Sequence, residues 1–427
     1  MTAPTIGFAG MTHLGLNSSA VAAEKKFDVI CFDQDENLIA QLASGDLHIV
    51  EPQLPEAIAA NAQQISFVHD ASELAKCDVV YIASDVATND EGKSDLSGLE
   101  SLLNHVSGAV KPNAVVVILS QVPPGFTRQY AGKISSLYYQ VETLIFGRAM
   151  ERAQFPERFI IGCENSDQPL PMPLMTYLKS FDCPILSMRY ESAELAKISI
   201  NCCLVSSISV ANTLAELCEQ VGADWSEIMP ALKLDGRIGP DAYLTPGLGI
   251  AGGNLERDLV TVRQLAQANR TDDGVVAAWV HNSAHRKNWV YNILEKEVFP
   301  KHPNPQIGVL GLAYKENTDS TKNSPSVALL RQLDGKRVKV FDPVVRETIA
   351  PNIVSVASAN EVFASADVVV IMTPWPVFGE INLSALAAAM SGKYIIDPYG
   401  IFDGKSVADV GLHYFTLGTP PIMAGKR

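Results

Sequence analysis

Three apolar runs near the start of the chain return near its end, and no other feature narrows the fold as far. IGFAG (6–10) is echoed by IGVLG (307–311), VICFDQD (29–35) by VKVFDPV (338–344), and CDVVYIAS (77–84) by ADVVVIMTP (366–374). Short apolar runs closed by turn residues read as strands buried on both faces. Their alternation with helical segments, such as 97–110, implies parallel sheets covered by helices. A chain of 427 residues is also longer than one hydrophobic core usually serves. The expectation is an α/β protein: two doubly wound units flanking a helical middle.

The middle is dominated by Tyr190–Val221, which contains neither Gly nor Pro and so nothing that breaks a helix. At about 1.5 Å per residue it would reach roughly 45 Å. Leu195, Ile198, Cys202, Val205, Ser209 and Leu214 keep approximate helical spacing, and small or apolar residues fill the other faces. Such a helix is normally buried, between domains or against a second copy of the chain, so a homodimer is expected. Lys197 and Asn201 interrupt it, four apart and on one face. A buried lysine is costly unless paired or catalytic; the bland alternative is a side chain snorkelling at the helix edge.

Residues 5–33 follow the Rossmann layout of strand, Gly-containing turn, helix and strand. TIGFAG is the strand, GMTHLG the turn, LNSSAVAAEKK the helix, and FDVICFD a second strand ending in Asp33. A turn at a helix N-terminus suits a pyrophosphate, and an acid about 20 residues on suits the ribose hydroxyls. Asp33 would repel a 2′-phosphate, so NAD is expected over NADP. Gly10 and Gly15 are in place, but Thr12 holds the middle glycine position and should crowd the pyrophosphate. AVVVILS (114–120), FIIGC (159–163) and CPILSM (183–188) read as further strands. The loops 84–97 and 120–128 then fall at strand carboxyl ends, where open α/β sheets bind ligands.

After the long helix, residues 230–259 are rich in glycine. They read as a flexible connector, or as a loop presenting backbone N–H groups to phosphate. They lead into a helix, LERDLVTVRQLAQAN, with Asp258 in its first turn, and 274–296 reads as another. Pro300, Pro303 and Pro305 mark a linker. In the second α/β unit Gly311 is followed by no glycine fingerprint, and Lys315 and Lys322 could serve phosphate instead.

Net charge −14 and a pI near 5.0 argue against nucleic acid as a partner. The seven cysteines show no C-x-x-C and no metal-like spacing, and read as reduced cytoplasmic thiols. No metal is expected; His281 and His285 are the only histidines at ligand spacing, and they read as a solvated helix face. No charged leader precedes an apolar run, and no apolar run reads as membrane-spanning.

Ten stretches, in order, resemble the UDP-glucose/GDP-mannose dehydrogenases over nearly the whole chain. They are DLHIVEPQL (46–54), SDLSGLE (94–100), SQVPPGFTR (120–128), ETLIFGRA (142–149), PERFIIG (156–162), ESAELAKISIN (191–201), DGRIGP (235–240), PGLGIAGG (246–253), GLAYKENTDSTKNSP (311–325) and TPWPVF (373–378). The resemblance implies an NAD domain over 1–190, a helical dimerisation domain over 191–300, and a nucleotide-sugar domain over 301–427. The reaction it implies oxidises the C6 alcohol of a UDP-hexose twice, through an aldehyde and a cysteine thioester, for polysaccharide precursors. Lys197 and Asn201 match the oxyanion-stabilising pair, Glu142 an active-site glutamate, and Asp258 the aspartate that orients water. Cofactor contacts are implied for Gly10, Thr12, His13, Leu14, Gly15, Asp33, Ser120 and Lys322. Substrate contacts are implied for Glu142, Leu144, Lys197, Asn201, Tyr243, Gly249, Gly252 and Lys315.

The sequence also departs from the family pattern. Asn254 stands where the family has its nucleophilic cysteine, and Arg257 where it has a lysine. Phe146 replaces a second glutamate, Gln121 a threonine, Val86-Ala87 a Thr-Pro pair, and Lys322 an arginine. DPYG (397–400) replaces D-x-R-N. An amide cannot form a thiohemiacetal, and Cys218, the closest cysteine in sequence to position 254, is a poor substitute. Two expectations follow: a dehydrogenase limited to one two-electron oxidation, or a non-catalytic relative that binds nucleotide sugar or NAD.

Overall fold

In the computed structural model, which describes residues 3–89, 92, 94–346 and 353–425, the strand Ile6–Ala9 lies inside an eight-stranded sheet. Val29–Phe32 and Val79–Ile82 flank it, both parallel to it. From one edge the order is Ile185–Arg189, Phe159–Cys163, Leu137–Gln140, Val115–Ile118, Val79–Ile82, Ile6–Ala9, Val29–Phe32 and Ile65–Val68. The central strands are apolar and fully buried, as strands covered on both faces must be. Strand order reverses between Ile6–Ala9 and Val79–Ile82, which opens a crevice at their carboxyl ends.

The sheet is not wholly parallel as expected, because Leu137–Gln140 and Phe159–Cys163 pair antiparallel. Antiparallel neighbours need no crossover. The connection 141–158, with Glu142 and the short helix Ala149–Gln154, therefore begins and ends at the carboxyl edge of the parallel strands.

The second sheet has six strands, all parallel: Ile353–Ser355, Arg337–Phe341, Gln306–Leu310, Val368–Ile371, Tyr394–Ile396 and His413–Phe415. The chain divides into two compact units, Met1–Ile200 and Asn201–Arg427. The helical segments after Ile200 thus belong with the second sheet.

The long helix spans Tyr190–Val221. Within the second unit Val205, Ala211, Ala215 and Cys218 are buried, while Val210, Leu214, Leu217 and Val221 form an exposed apolar row. Leu195 is exposed as well, so the row read from sequence is split between two faces. By length and composition alone this helix could cross a membrane, contrary to the reading that no run could. Its polar residues, however, bond within their own units: Glu194 to Gly125 and Thr127, Asn201 to Asp258, Asn212 to Gly247. That is the pattern of a core helix.

The glycine-rich loop is held, not slack. Gly247 donates to Asn212, Ile250 to the Ser283 hydroxyl, and Gly252 to the Lys322 carbonyl, while Asn323 donates back to Gly252. The helix expected over 274–296 is Gly274–Lys287, then Trp289–Ile293 running into a wider turn, Leu294–Val298.

Candidate functional site

The first unit brings the residues expected at the dinucleotide turn to the carboxyl ends of Ile6–Ala9 and Val29–Phe32. Gly10 has φ +98°, and a Cβ there would meet the Ser84 backbone at 2.9 Å. At Gly15 a Cβ would lie 1.9 Å from the Gly10 carbonyl oxygen, so only glycine allows helix and turn to meet. The helix His13–Glu24 begins inside the turn, with Leu14 on its first turn and Thr12 as N-cap. Thr12 offers the helix no side-chain cap; its hydroxyl donates to the Ala83 carbonyl at 3.1 Å. Asp33 accepts the Met11 N–H at 2.8 Å and is only half-buried. Ser120 is buried, its hydroxyl donating to the Ser84 carbonyl. These residues fit the diphosphate and ribose of a dinucleotide: a helix N-terminus, a close glycine approach and a carboxylate beyond the second strand.

At the same edge, Glu142 accepts the Leu144 backbone N–H and stands 3.9 Å from the Lys197 ammonium, both side chains largely buried. Leu144 is half-buried against the sheet's core. Phe146 stacks on the His13 ring with centroids 4.1 Å apart.

Two buried carboxylates escaped the sequence reading. Glu51 accepts His13 Nε2 at 2.8 Å, Gly147 N–H at 3.0 Å and Ala149 N–H at 2.8 Å. Glu194 accepts the N–H groups of Gly125 and Thr127 at 2.6 and 2.8 Å, holding the 120–128 loop. Burial raises the Glu194 carboxyl above its ordinary value, although those hydrogen bonds oppose the shift. An acid before proline in HIVEP, and one among small apolar residues in ESAELAK, were the available signals.

In the second unit, Asp258 is fully buried, accepts the Asn201 amide at 2.5 Å and lies 3.6 Å from the buried Arg257 guanidinium. These partners order the buried carboxylate. Cys202, beside Asn201, packs with Val205, Ile250 and Leu259. Burial, then the charge of Asp258, pushes its thiol up to about 11. Cys202, not Cys218, is thus a thiol within reach of Asp258's field, and at neutral pH it is not a thiolate. Asn254 is the exposed first residue of the helix Asn254–Asn269. A Cβ at Gly252 would sit 3.2 Å from the Tyr314 ring, and one at Gly249 2.4 Å from the Ser283 carbonyl. Lys315 lies 5.8 Å from the Tyr314 ring centroid, and the Lys322 stem passes Gly253. Tyr243 is 48% exposed. His285 is not merely solvated: it pairs with Glu216 at 2.8 Å. Among the described residues no cluster of metal-ligating side chains occurs.

Comparison with known proteins supplies three domain models of one family. The NAD binding domain of the UDP-glucose/GDP-mannose dehydrogenase family matches residues 4–173, its central domain 191–284 and its UDP binding domain 308–404. The chain is 29% identical to a UDP-glucose 6-dehydrogenase of Rhizobium meliloti (strain 1021), covering 97% of this chain and 99% of that one. It is 28% identical to a putative UDP-glucose 6-dehydrogenase of Bacillus subtilis (strain 168), covering 96% and 99%. A solved UDP-glucose dehydrogenase from Pyrobaculum islandicum superposes with a TM-score of 0.82 at 26% identity, covering 93% and 94%.

Proposed function

This chain belongs to the UDP-glucose/GDP-mannose dehydrogenase family, and from that premise we propose that it oxidises a UDP-hexose with NAD and stops after one hydride transfer. The observation that carries the reading is the long helix. It sets Lys197 against Glu142 in the first unit and Asn201 against the buried Asp258 in the second.

NAD, when bound, would supply the hydride acceptor for oxidation of the alcohol to an aldehyde, the hydroxyl proton leaving to water. The Lys197 ammonium stabilises the developing alkoxide, with Asn201 as second donor. Asp258 is assigned the water. Continuing to a uronate through a thioester requires a thiolate; Asn254 stands at the family's cysteine position, and Cys202 is held protonated. The UDP-hexose is suggested by the relatives' names and by Lys315 and Gly252 beside Tyr314. The C-terminal unit is assigned the nucleotide sugar, and the division into 1–190, 191–300 and 301–427 follows the family pattern.

The apolar row Val210, Leu214, Leu217 and Val221, beside a groove lined by Trp279, supports a homodimer in which a second copy covers it. Seven free cysteines suit the cytoplasm, and polysaccharide precursor synthesis is the natural setting. A second reading, binding without turnover, is favoured by Phe146, which fills a glutamate's position with a ring stacked on His13.

NADH formation with a panel of UDP-hexoses tests the proposal. Turnover on at least one, reduced about 100- to 1000-fold by Lys197→Ala, supports it. Tight binding of NADH and UDP-sugar with no turnover supports the second reading.

A further inference from the structure

Glu51 is a buried carboxylate with three hydrogen-bond partners beside the first sheet, and nothing in the proposed chemistry uses it. It is 4% exposed. One oxygen takes His13 Nε2 and the Gly147 N–H, the other the Ala149 N–H. An ionised carboxylate only accepts, so Nε2 carries the hydrogen. Three donors satisfy a buried charge that would otherwise be costly.

What matters is which segments those donors come from. His13 opens the helix behind the cofactor turn. Gly147 and Ala149 close the segment that begins at Glu142, and Ala149 starts the helix Ala149–Gln154. Gly147 has φ +83°, a turn that needs an anchor to hold its direction. The far ends of the same two helices are joined as well, Gln154 donating to Glu24 at 2.8 Å. Phe146 adds the stacking contact on His13. The stretch 142–154 is therefore joined to the cofactor helix twice: near its start through Gly147, Ala149 and Glu51 to His13, and at its end through Gln154 to Glu24.

We propose that Glu51, through His13, is a positioning residue that couples cofactor binding to substrate binding. The proposal rests on the reading that Glu142 and its neighbours face the sugar. A dinucleotide diphosphate on the turn orders His13; His13 orders Glu51; Glu51 fixes Gly147 and Ala149, and with them the segment carrying Glu142 and Leu144. A ligand that orders shared structure lowers the ordering cost for the next one, and the effect is reciprocal. Glu51 and His13 touch no reacting atom in this scheme.

The test uses NADH, which cannot drive the forward oxidation, with the full-length protein. Hydrogen exchange at the Gly147 and Ala149 amides is read with and without saturating NADH. The affinity for UDP-glucose is read under the same two conditions. We expect NADH to slow exchange at both amides, and to tighten UDP-glucose binding about fivefold or more. His13→Phe keeps the stacking face but loses the donor, and should abolish both effects at saturating NADH; His13→Gln keeps an N–H donor and should restore them in part. Glu51→Gln, with one acceptor oxygen instead of two, should weaken both. Thermal unfolding of each variant identifies any that fails to fold, and the exchange comparison in the parent stands without them. Unchanged exchange at Gly147 and Ala149 on NADH binding, or coupling undiminished in folded His13→Phe, overturns the proposal. If UDP-glucose does not bind, the substrate assignment fails, and the amide exchange still decides whether the coupling exists.

Discussion

The two sheet units repeat one backbone device and use it in opposite ways. In each, the acid that ends the second strand reaches back to the turn after the first. In the amino-terminal unit Asp33 accepts the Met11 N–H of the turn and the Asp35 N–H beside it, and stays half-exposed. In the carboxyl-terminal unit Asp342 is 2% exposed. It takes the amides of Leu312, Ala313, Val344 and Val345 and the Trp375 indole N–H. The turns differ likewise. After Gly10 the chain enters a helix at His13, leaving backbone donors at the crevice. After Gly311 the turn carbonyls are taken by Ser326, Ser324 and Thr373 hydroxyls, and no helix starts until Pro325. The site of a Gly311 Cβ is filled by Thr373, 2.5 Å away. The first turn leaves backbone donors at a helix N-terminus, whereas the second has its carbonyls taken by its own side chains. A shared strand pattern fixes topology; the residues around the strand ends decide whether anything binds there.

That contrast can be broken by exchanging the roles of the two acids. Asp342→Asn leaves several amides facing a group with one acceptor, and should cost roughly 3 kcal/mol of stability. Urea unfolding should show this while NADH affinity stays within about twofold. Burial raises the Asp342 carboxyl, but the four backbone N–H groups outweigh it and hold it below its ordinary range. A folded value below the unfolded one stabilises at neutral pH, and that contribution is lost as pH falls through the folded value. The parent should therefore lose more stability on acidification than Asp342→Asn, and equal losses would deny the closed site its electrostatic role.

Asp33→Asn should do the reverse. Stability should move by less than about 1 kcal/mol, while NADH binding weakens about tenfold and the preference over NADPH narrows. A variant that unfolds easily yet binds NADH normally would make Asp33 structural like Asp342, and the comparison would collapse. The smallest effect is expected at Thr12. Its hydroxyl is tied to Ala83, but its side chain still borders the turn, so Thr12→Gly should tighten NADH about threefold. Calorimetry giving no tightening would show that the tether already removes the crowding.

Much of this was legible in the sequence because it is local. The echoed runs are the central strands, and the helix Tyr190–Val221 has the ends its composition assigns. The strand Ile65–Val68 was missed because it is an edge strand with one buried residue, and Leu137–Gln140 because LYYQ is no aliphatic run. Both acids, Asp33 and Asp342, were visible as equivalents. That one is sealed depends on Trp375, Ser324 and Thr373, which no local pattern joins to it. Glu51 shows the same limit: its partners lie 38, 96 and 98 residues away. Cys202 was passed over for a related reason, since its neighbour Asp258 comes from a helix more than fifty residues on.

Transfer of one hydride per sugar, as proposed, is read from the stoichiometry of NADH formation. Limiting UDP-hexose is incubated with excess NAD and an aldehyde-trapping amine until NADH formation ends. Without a thiolate to hold the aldehyde, the second oxidation should be slower by orders of magnitude. One NADH per sugar and a trapped aldehyde are expected. Two NADH per sugar and a free uronate, formed at a rate comparable to the first oxidation, would contradict it.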